Sequence, residues 1–321
     1  MPLQCNRHYL LIPGWIELFP EQGGNGREVQ IPLVRPSLQF ILHNGELLTM
    51  TMIIVDQSFC DRCGICSTVC PIAIIEPADE GSLPRIPKEK EGACIACGHC
   101  EVSCPSGALS LDLLPDEEEG GSMAAGEIPP GALATFLKAR RSVRHFKPDP
   151  VDKETIRRLL DITRYAASGG NRHPVQWLVM YDRKEVHHIA GLTIDWLQEL
   201  AKSNHPMGLY AGRLIEDWKK GHDRICWNAP HLLFAHVPGD APIGATDATI
   251  ALTCFDVAAP AFGVGTCWAG FVSNAAMNHE PLVKFLALPP GRKVAYGMMF
   301  GYPRYRTYKI PRRKPAEITW R

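Results

Sequence analysis

The sequence predicts a chain in two parts, a small cysteine-bearing module followed by a larger α+β domain with one sheet and helices around it. Three observations carry this prediction. Eight of the twelve cysteines fall between Cys60 and Cys104. A polar, breaker-rich stretch follows, with Pro115-Asp116-Glu117-Glu118-Glu119-Gly120-Gly121-Ser122 and then Pro129-Pro130-Gly131, a composition that reads as a connection rather than a core. Beyond it, helical and strand-like segments alternate as far as the C-terminus. A length of 321 residues suits about two domains, and the expected boundaries are 1–51 for an N-terminal extension, 52–114 for the module, 115–130 for the linker and 131–321 for the larger domain.

Charge divides the chain in the same places. The 34 Lys+Arg and 34 Asp+Glu cancel, but residues 52–127 hold 14 acids against 4 bases and residues 128–321 hold 27 bases against 16 acids. Partner arguments are therefore made per segment. The basic excess lies in two runs that contain no acid, Lys138, Arg140, Arg141, Arg144 and Lys147, then Arg304, Arg306, Lys309, Arg312, Arg313 and Lys314. So local an excess is a property of two short segments and not of the whole domain. The acidic module is expected to be drawn to the part of this patch left facing solvent.

Residues 1–51 show no sustained period, and only Leu38 to Leu42 and Glu46 to Val55 look strand-like. With Met50 and Met52 just before the cysteines, residues 1–49 read as a poorly ordered extension or an over-long start. The N-terminus lacks a basic region followed by an apolar run and a cleavage site, and no segment reaches the roughly 18–20 apolar residues of a membrane helix. The expectation is a soluble, cytoplasmic protein with no membrane and no nucleic-acid partner. Its clustered thiols are then metal ligands rather than disulfides.

The module opens with Cys60-Asp61-Arg62-Cys63-Gly64-Ile65-Cys66-Ser67-Thr68-Val69-Cys70-Pro71, a C-x2-C-x2-C-x3-C-P run repeated at Cys94, Cys97, Cys100, Cys104 and Pro105. In this spacing three thiolates wrap one cubane and the fourth, before the proline, ligates the other. The expected sets are Cys60, Cys63, Cys66 and Cys104 for cluster 1, and Cys94, Cys97, Cys100 and Cys70 for cluster 2. Zinc is the competing reading, since paired CxxC units also bind it. Ile72-Ala73-Ile74-Ile75 and Gly107-Ala108-Leu109-Ser110-Leu111 follow the two motifs as a turn and short strand each, a pseudo-symmetric pair. The segment resembles a bacterial-type ferredoxin with two [4Fe-4S] clusters, which implies one-electron transfer at low potential.

In the larger part, Leu133, Phe136 and Leu137 suggest a short helix. Asp152 caps a second helix whose Ile156, Leu159, Leu160 and Thr163 share a face. Val175 to Tyr181, His231 to Val237 and Val294 to Phe300 read as strands. Ala248 to Phe262 reads as a buried helix with Ile250, Cys254, Val257, Ala258 and Ala261 at helical spacing.

Three pieces carry chemistry. Arg140-Arg141-Ser142-Val143-Arg144 offers forked guanidinium donors and a hydroxyl to a phosphate or a polyhydroxylated chain. Ala167-Ser168-Gly169-Gly170-Asn171-Arg172-His173-Pro174 has paired glycines that admit a ligand close to the backbone, and an amide that can donate and accept. Gly263-Val264-Gly265-Thr266-Cys267-Trp268-Ala269-Gly270 could line a flat ring, and Gly301-Tyr302-Pro303 leads to the basic Pro311-Arg312-Arg313-Lys314-Pro315. Each also has a plainer reading, as a solvated basic face, a helix-to-strand turn or a small-residue strand. In this order they resemble the FMN-dependent nitroreductase family over about Gly131 to Arg321. The resemblance implies an α+β fold with a mainly antiparallel central sheet flanked by helices, one FMN per site and two sites at a homodimer interface. It places Arg140, Ser142 and Arg144, with Arg141 among them, at the flavin chain and phosphate, Asn171 beside the ring, and Arg312 and Arg313 facing the phosphate. It brings the backbone of Thr266, Cys267, Trp268 and Gly270 near the ring, where an N–H can tune the flavin. Ala167, His173 and Val175 depart from the family's usual Pro, Gln and Trp, which bears on substrate choice. Cys226, Cys254 and the pair His187-His188 read as structural.

A one-electron module fused to a two-electron flavin domain implies a wire between an outside carrier and a small-molecule substrate, of nitroaromatic, quinone or enone type. The carrier is a low-potential ferredoxin or flavodoxin, or NAD(P)H, though no G-x-G-x-x-G after a strand marks a dedicated nicotinamide site. Chemistry centred on the flavin needs no assigned general acid. The other class left open is an electron-transfer or flavin-binding protein with no substrate reduction of its own.

Overall fold

The computed structural model describes residues 41–43, 46–48, 53–79, 81–111, 128–203 and 208–321. The chain divides into two compact units, residues 1–50 and 51–321. In the first, β1 (Ile41–His43) pairs antiparallel with β2 (Glu46–Leu48), Leu42 opposite Leu47. The rest of the stretch read as an N-terminal extension lies outside the described residues, as does most of the acidic linker.

Within the second unit the cysteine-rich module is closed by its own ends. β3 (Ile53–Val55) pairs antiparallel with β4 (Leu109–Leu111), so the residues before the first motif hydrogen-bond to those after the second. Two short helices, α1 (Ile65–Val69) and α2 (His99–Val102), carry Cys66 and Cys100 inward against Ile74, Ile75, Leu109 and Leu111. The strand expected at Ile72 to Ile75 does not form. Ile74 and Ile75 are buried, but the ladder shrinks to one bridge, Glu76 with Arg85. Their burial is satisfied by packing on the thiol-bearing helices, and β4 already takes β3 as its partner.

The larger part of the unit is built on a four-stranded antiparallel sheet in the order β5 (Gln176–Met180), β6 (His231–Pro238), β8 (Arg292–Gly301), β7 (Gly265–Trp268). Both faces of β6 are covered, which explains why it reads as a continuous apolar run instead of an alternation. Leu232 and Phe234 point to one face, packing with α5 (Arg183–Leu200) and α8 (Gly270–Asn278); Leu233, Ala235 and Val237 point to the other, against α4 (Lys153–Thr163) and α7 (Gly244–Ala258). That is the two-residue period of a strand. α3 (Pro130–Ala139) and α6 (Gly208–Lys219) precede and flank this core, and α9 (Glu280–Leu286) follows α8. No helix among the described residues is long and apolar enough to cross a membrane.

Asp152 caps α4 by accepting from the N–H groups of Glu154 at 2.9 Å and Thr155 at 3.1 Å. Ile156, Leu159 and Thr163 are buried as their spacing indicates, and Leu160 packs beside them. The helix expected at Ala248 to Phe262 starts at Gly244 and gives way to a tighter 3-10 turn at Ala259–Phe262, where Pro260 has no N–H to continue the ladder. Its buried face is Ala248, Ala251, Leu252 and Phe255, while Ile250 is exposed. The helix is apolar nearly all round, so periodicity alone does not select a side; the bulk of Leu252 and Phe255, and the burial of Asp247 and Asp256, do. Phe234 is fully buried at the centre of the sheet. Phe234→Ala should lower stability by about 3–5 kcal/mol, measurable by urea denaturation followed through tryptophan fluorescence.

Candidate functional site

The two cysteine motifs fold alike. Left-handed backbone recurs at matching positions, Arg62 and Ala96 (φ 55° and 51°), Gly64 and Gly98 (73° and 75°), Ala73 and Gly107 (51° and 65°). Each loop thereby turns its first three thiols toward one cavity, and the fourth crosses over. One cavity is lined by Cys60, Cys63, Cys66 and Cys104, the other by Cys70, Cys94, Cys97 and Cys100, the two sets expected from spacing. Among the described residues no group of three His, Cys, Asp or Glu side chains converges on a single-ion position. The thiols ring a volume, which suits a cluster whose irons each take a different thiolate.

Burial pushes the Cys100 thiol up to about 11, with Cys94 and Cys97 nearby adding to it, and burial likewise raises Cys66 beside Cys63 and Cys60. Burial also raises Cys104, but hydrogen bonds from the Ser106 hydroxyl and from backbone N–H groups outweigh it and leave this thiol below its ordinary value. A cluster held by these cysteines as thiolates would displace protons from Cys66 and Cys100 on assembly.

On the sheet side, the Arg140–Arg144 segment is clasped to the edge strand β7. Ser142 bridges Thr266 in parallel, and Val143 N–H donates to the Thr266 carbonyl at 2.8 Å. Gly265 is required here, since a Cβ would lie 2.6 Å from Val143 Cγ2. Behind the strand, the buried Asp256 of α7 gathers three groups. It accepts from the Thr266 hydroxyl and, at 3.1 Å, from Trp268 Nε1, and it lies 3.4 Å from Arg140 Nη1. Arg140 Nη1 is buried and has no hydrogen-bond partner. That nitrogen is ion-paired to Asp256 without a hydrogen bond, so Asp256 neutralises part of its charge while Arg140 lines the cavity beside it.

Two cavities flank β7. The first, about 480 Å³, is lined by Arg140, Arg141, Lys147, Arg304 and Arg306 together with Thr266. The second, about 850 Å³, is lined by Arg144, Arg213, Trp227, Cys267, Trp268, Gly270 and Phe271. Both fall in the size range of ligand pockets. Burial raises the Cys267 thiol, while Arg144 and the Ser142 hydroxyl oppose that shift.

Asn171 lies elsewhere, on the loop after α4. Its Nδ2 donates to the carbonyls of Ile95 and Ala96, both at 3.0 Å, and its Oδ1 pairs with His173 Nε2 at 2.8 Å. The residue expected beside a flavin ring has its amide engaged with the cysteine module. Arg312 and Arg313 are exposed on the segment after β8, and among the described residues no hydrogen bond or ion pair links them to Arg140. One chain therefore groups Arg140, Arg141 and Thr266, then Arg144, Cys267, Trp268 and Gly270, with Ser142 between, and leaves Asn171 and the late arginines apart.

Two residues that organise the site carry no motif. Asp256 holds Arg140, and Asp247 accepts from Gly169 N–H at 3.0 Å to fix the Asn171 loop. Their signal was available, as acids on an apolar helix with no base three or four residues away.

A family model for nitroreductases matches residues 137–302, more than half of the chain, and the chain belongs to the nitroreductase family. A model for a 4Fe-4S dicluster domain matches residues 59–109. Among curated relatives, an iron-sulfur component of the CoB–CoM heterodisulfide reductase of Methanocaldococcus jannaschii is 35% identical over 76 residues, 20% of this chain and 12% of that protein. The 5,6-dimethylbenzimidazole synthase of Rhodobacter capsulatus is 47% identical over 49 residues, 15% of this chain and 23% of the synthase. The chain thus matches less than a quarter of the length of either relative. A nitroreductase with bound FMN from Desulfitobacterium hafniense is a structural neighbour at 19% identity and TM-score 0.48, covering 59% of this chain and 97% of its own.

Two outcomes follow from the geometry. Iron and sulfide uptake by the metal-free chain should keep rising with pH beyond the ordinary thiol range, toward about 11, as the raised Cys66 and Cys100 thiols ionise, read as cluster content after desalting. Asp256→Ala should cost about 3–5 kcal/mol in denaturant titrations, because Arg140 loses its buried counter-charge.

Proposed function

We propose that this chain is an FMN-dependent oxidoreductase of the nitroreductase type, in which two [4Fe-4S] clusters and FMN together serve the two-electron reduction of a small nitroaromatic, quinone or enone-like substrate. When bound, the clusters supply single-electron transfer and the flavin supplies the two-electron step. The observation that carries the reading is the Arg140 guanidinium, ion-paired to the buried Asp256 at 3.4 Å with no hydrogen bond to its Nη1, at the wall of a cavity that also holds Arg141, Lys147, Arg304 and Arg306. Arg140 and its neighbours would hold the phosphate end, and Asp256 keeps the Arg140 guanidinium in place. In the adjoining cavity Trp227, Trp268 and Phe271 offer flat apolar walls, with Arg144 and Arg213 to orient a polar group. The Cys60, Cys63, Cys66, Cys104 set and the Cys70, Cys94, Cys97, Cys100 set would hold one cluster each.

The proposed organisation is a module at 52–114, a linker at 115–130 and a flavin domain at 131–321, in a cytoplasmic homodimer fed by a low-potential carrier. Arg312 and Arg313, exposed and not bonded to Arg140, are open to a second copy's site, which supports a dimer.

Anaerobic purification should yield about eight iron atoms and about one FMN per chain. Reduced ferredoxin should reduce the flavin faster than NAD(P)H does, and a nitroaromatic or enone should reoxidise it faster than air. Arg140→Ala should weaken FMN binding by about tenfold or more, the loss of one charge-assisted hydrogen-bonding group. Bound flavin without substrate turnover would instead mark an electron-transfer or flavin-binding protein.

A further inference from the structure

We infer that the two cluster sites are unequal: the set Cys70, Cys94, Cys97 and Cys100 is the inner centre, docked on the flavin domain through Asn171, and the set Cys60, Cys63, Cys66 and Cys104 is the outer centre where electrons enter. This rests on the function proposed above and gives the path a direction inside the module.

The two halves share their backbone turns, so a difference in use must come from side chains and surroundings. Between the first two cysteines of the first motif stand Asp61 and Arg62, exposed and charged; at the same positions of the second stand Ile95 and Ala96, half-buried and uncharged. Cys63 is exposed and Cys97 is half-buried. The covering element is the Asn171 loop. Two hydrogen bonds of 3.0 Å run from Asn171 Nδ2 to the Ile95 and Ala96 carbonyls, groups that can only accept, which fixes which end of the amide faces them. His173 holds the other end at 2.8 Å.

The loop is itself braced, by Gly169 N–H on the buried Asp247 and by His173 N–H on the Ser168 hydroxyl at 3.0 Å. Asn171 and His173 have left-handed φ of 54° and 44°, a region that Asn and His enter more readily than other side chains. Cys97 and Asn171 line one cavity of about 970 Å³, together with Tyr165 and Trp177 of the flavin domain. Tunnelling slows exponentially with distance, so the cluster beside this contact is the one placed to exchange electrons with that domain. The contact is made to neutral carbonyls, so salt should not screen it. The basic runs expected to attract the module do not make this contact.

The test uses the anaerobically purified whole chain with three variants, Asn171→Ala, the isosteric Asn171→Asp, and Arg62→Glu on the outer loop, each checked for iron and flavin content. Amide exchange is followed at 94–98 and 61–64, and internal electron transfer is timed after deazaflavin photoreduction at low and high salt. Both Asn171 variants should raise exchange at 94–98 and slow internal transfer by about tenfold, the loss of two hydrogen bonds. Arg62→Glu should leave that rate within roughly twofold, as an exposed substitution does, and salt should have as little effect. Equal slowing by Arg62→Glu, or no change in exchange and rate in either Asn171 variant, overturns the inference alone. A wild-type chain purified without flavin or without iron overturns the function reading on which it rests, while any protection of 94–98 over 61–64 would still report the docking contact.

Discussion

A buried carboxylate has to be compensated, and around Asp256 that requirement organises the flavin-domain edge. Its two oxygens face Thr266 and Trp268 from β7 and Arg140 from the segment clasped to that strand. Helix, edge strand and basic segment are thereby tied at one point, and the strand becomes the wall between two cavities. Leaving such a carboxylate unpaired is costly, so the register of Ser142 on Thr266 and the position of the Arg140 guanidinium are set together. The Nη1 of that guanidinium faces Asp256 at 3.4 Å without a hydrogen bond, and Arg140 also lines the basic cavity with Arg141, Lys147, Arg304 and Arg306.

The cysteine module is governed by a related constraint. Cys66 and Cys100 are buried thiols whose burial opposes ionisation, and each cavity takes its fourth cysteine from the other half. Neither half is complete alone, and β3 with β4 closes the pair. The symmetry is broken at Ile95-Ala96, where the Asn171 loop docks, and Asp247 on the same helix as Asp256 braces that loop. A single helix thus carries both acids that align the two cofactor regions.

The parts legible in the sequence were those whose physics is local. The thiol spacing works through turns of a few residues, so the division into two sets of four was readable. Asp152 at the start of α4 caps its own helix, and the apolar run His231 to Val237 marks a strand. Long-range choices were not readable. The inward face of α7 escapes periodicity because Ile250, Cys254 and Val257 are as apolar as Ala251, Leu252 and Phe255. The Ile72 to Ile75 strand fails because pairing depends on which partner is free, and β3 has already taken β4.

From the sequence alone come the two-part architecture, the sets of cysteines, the basic runs and the family that their order resembles. Each depends on residue type at short spacing, which the chain carries wherever it folds. The tertiary structure decided what those residues face. It gave the Asn171 amide the carbonyls of the second cysteine loop and chose Asp256 as the partner of Arg140. These outcomes rest on contacts between residues 75 to 116 positions apart in the chain, such as Asn171 with Ala96 and Arg140 with Asp256. Such contacts form only once packing has fixed which surfaces meet.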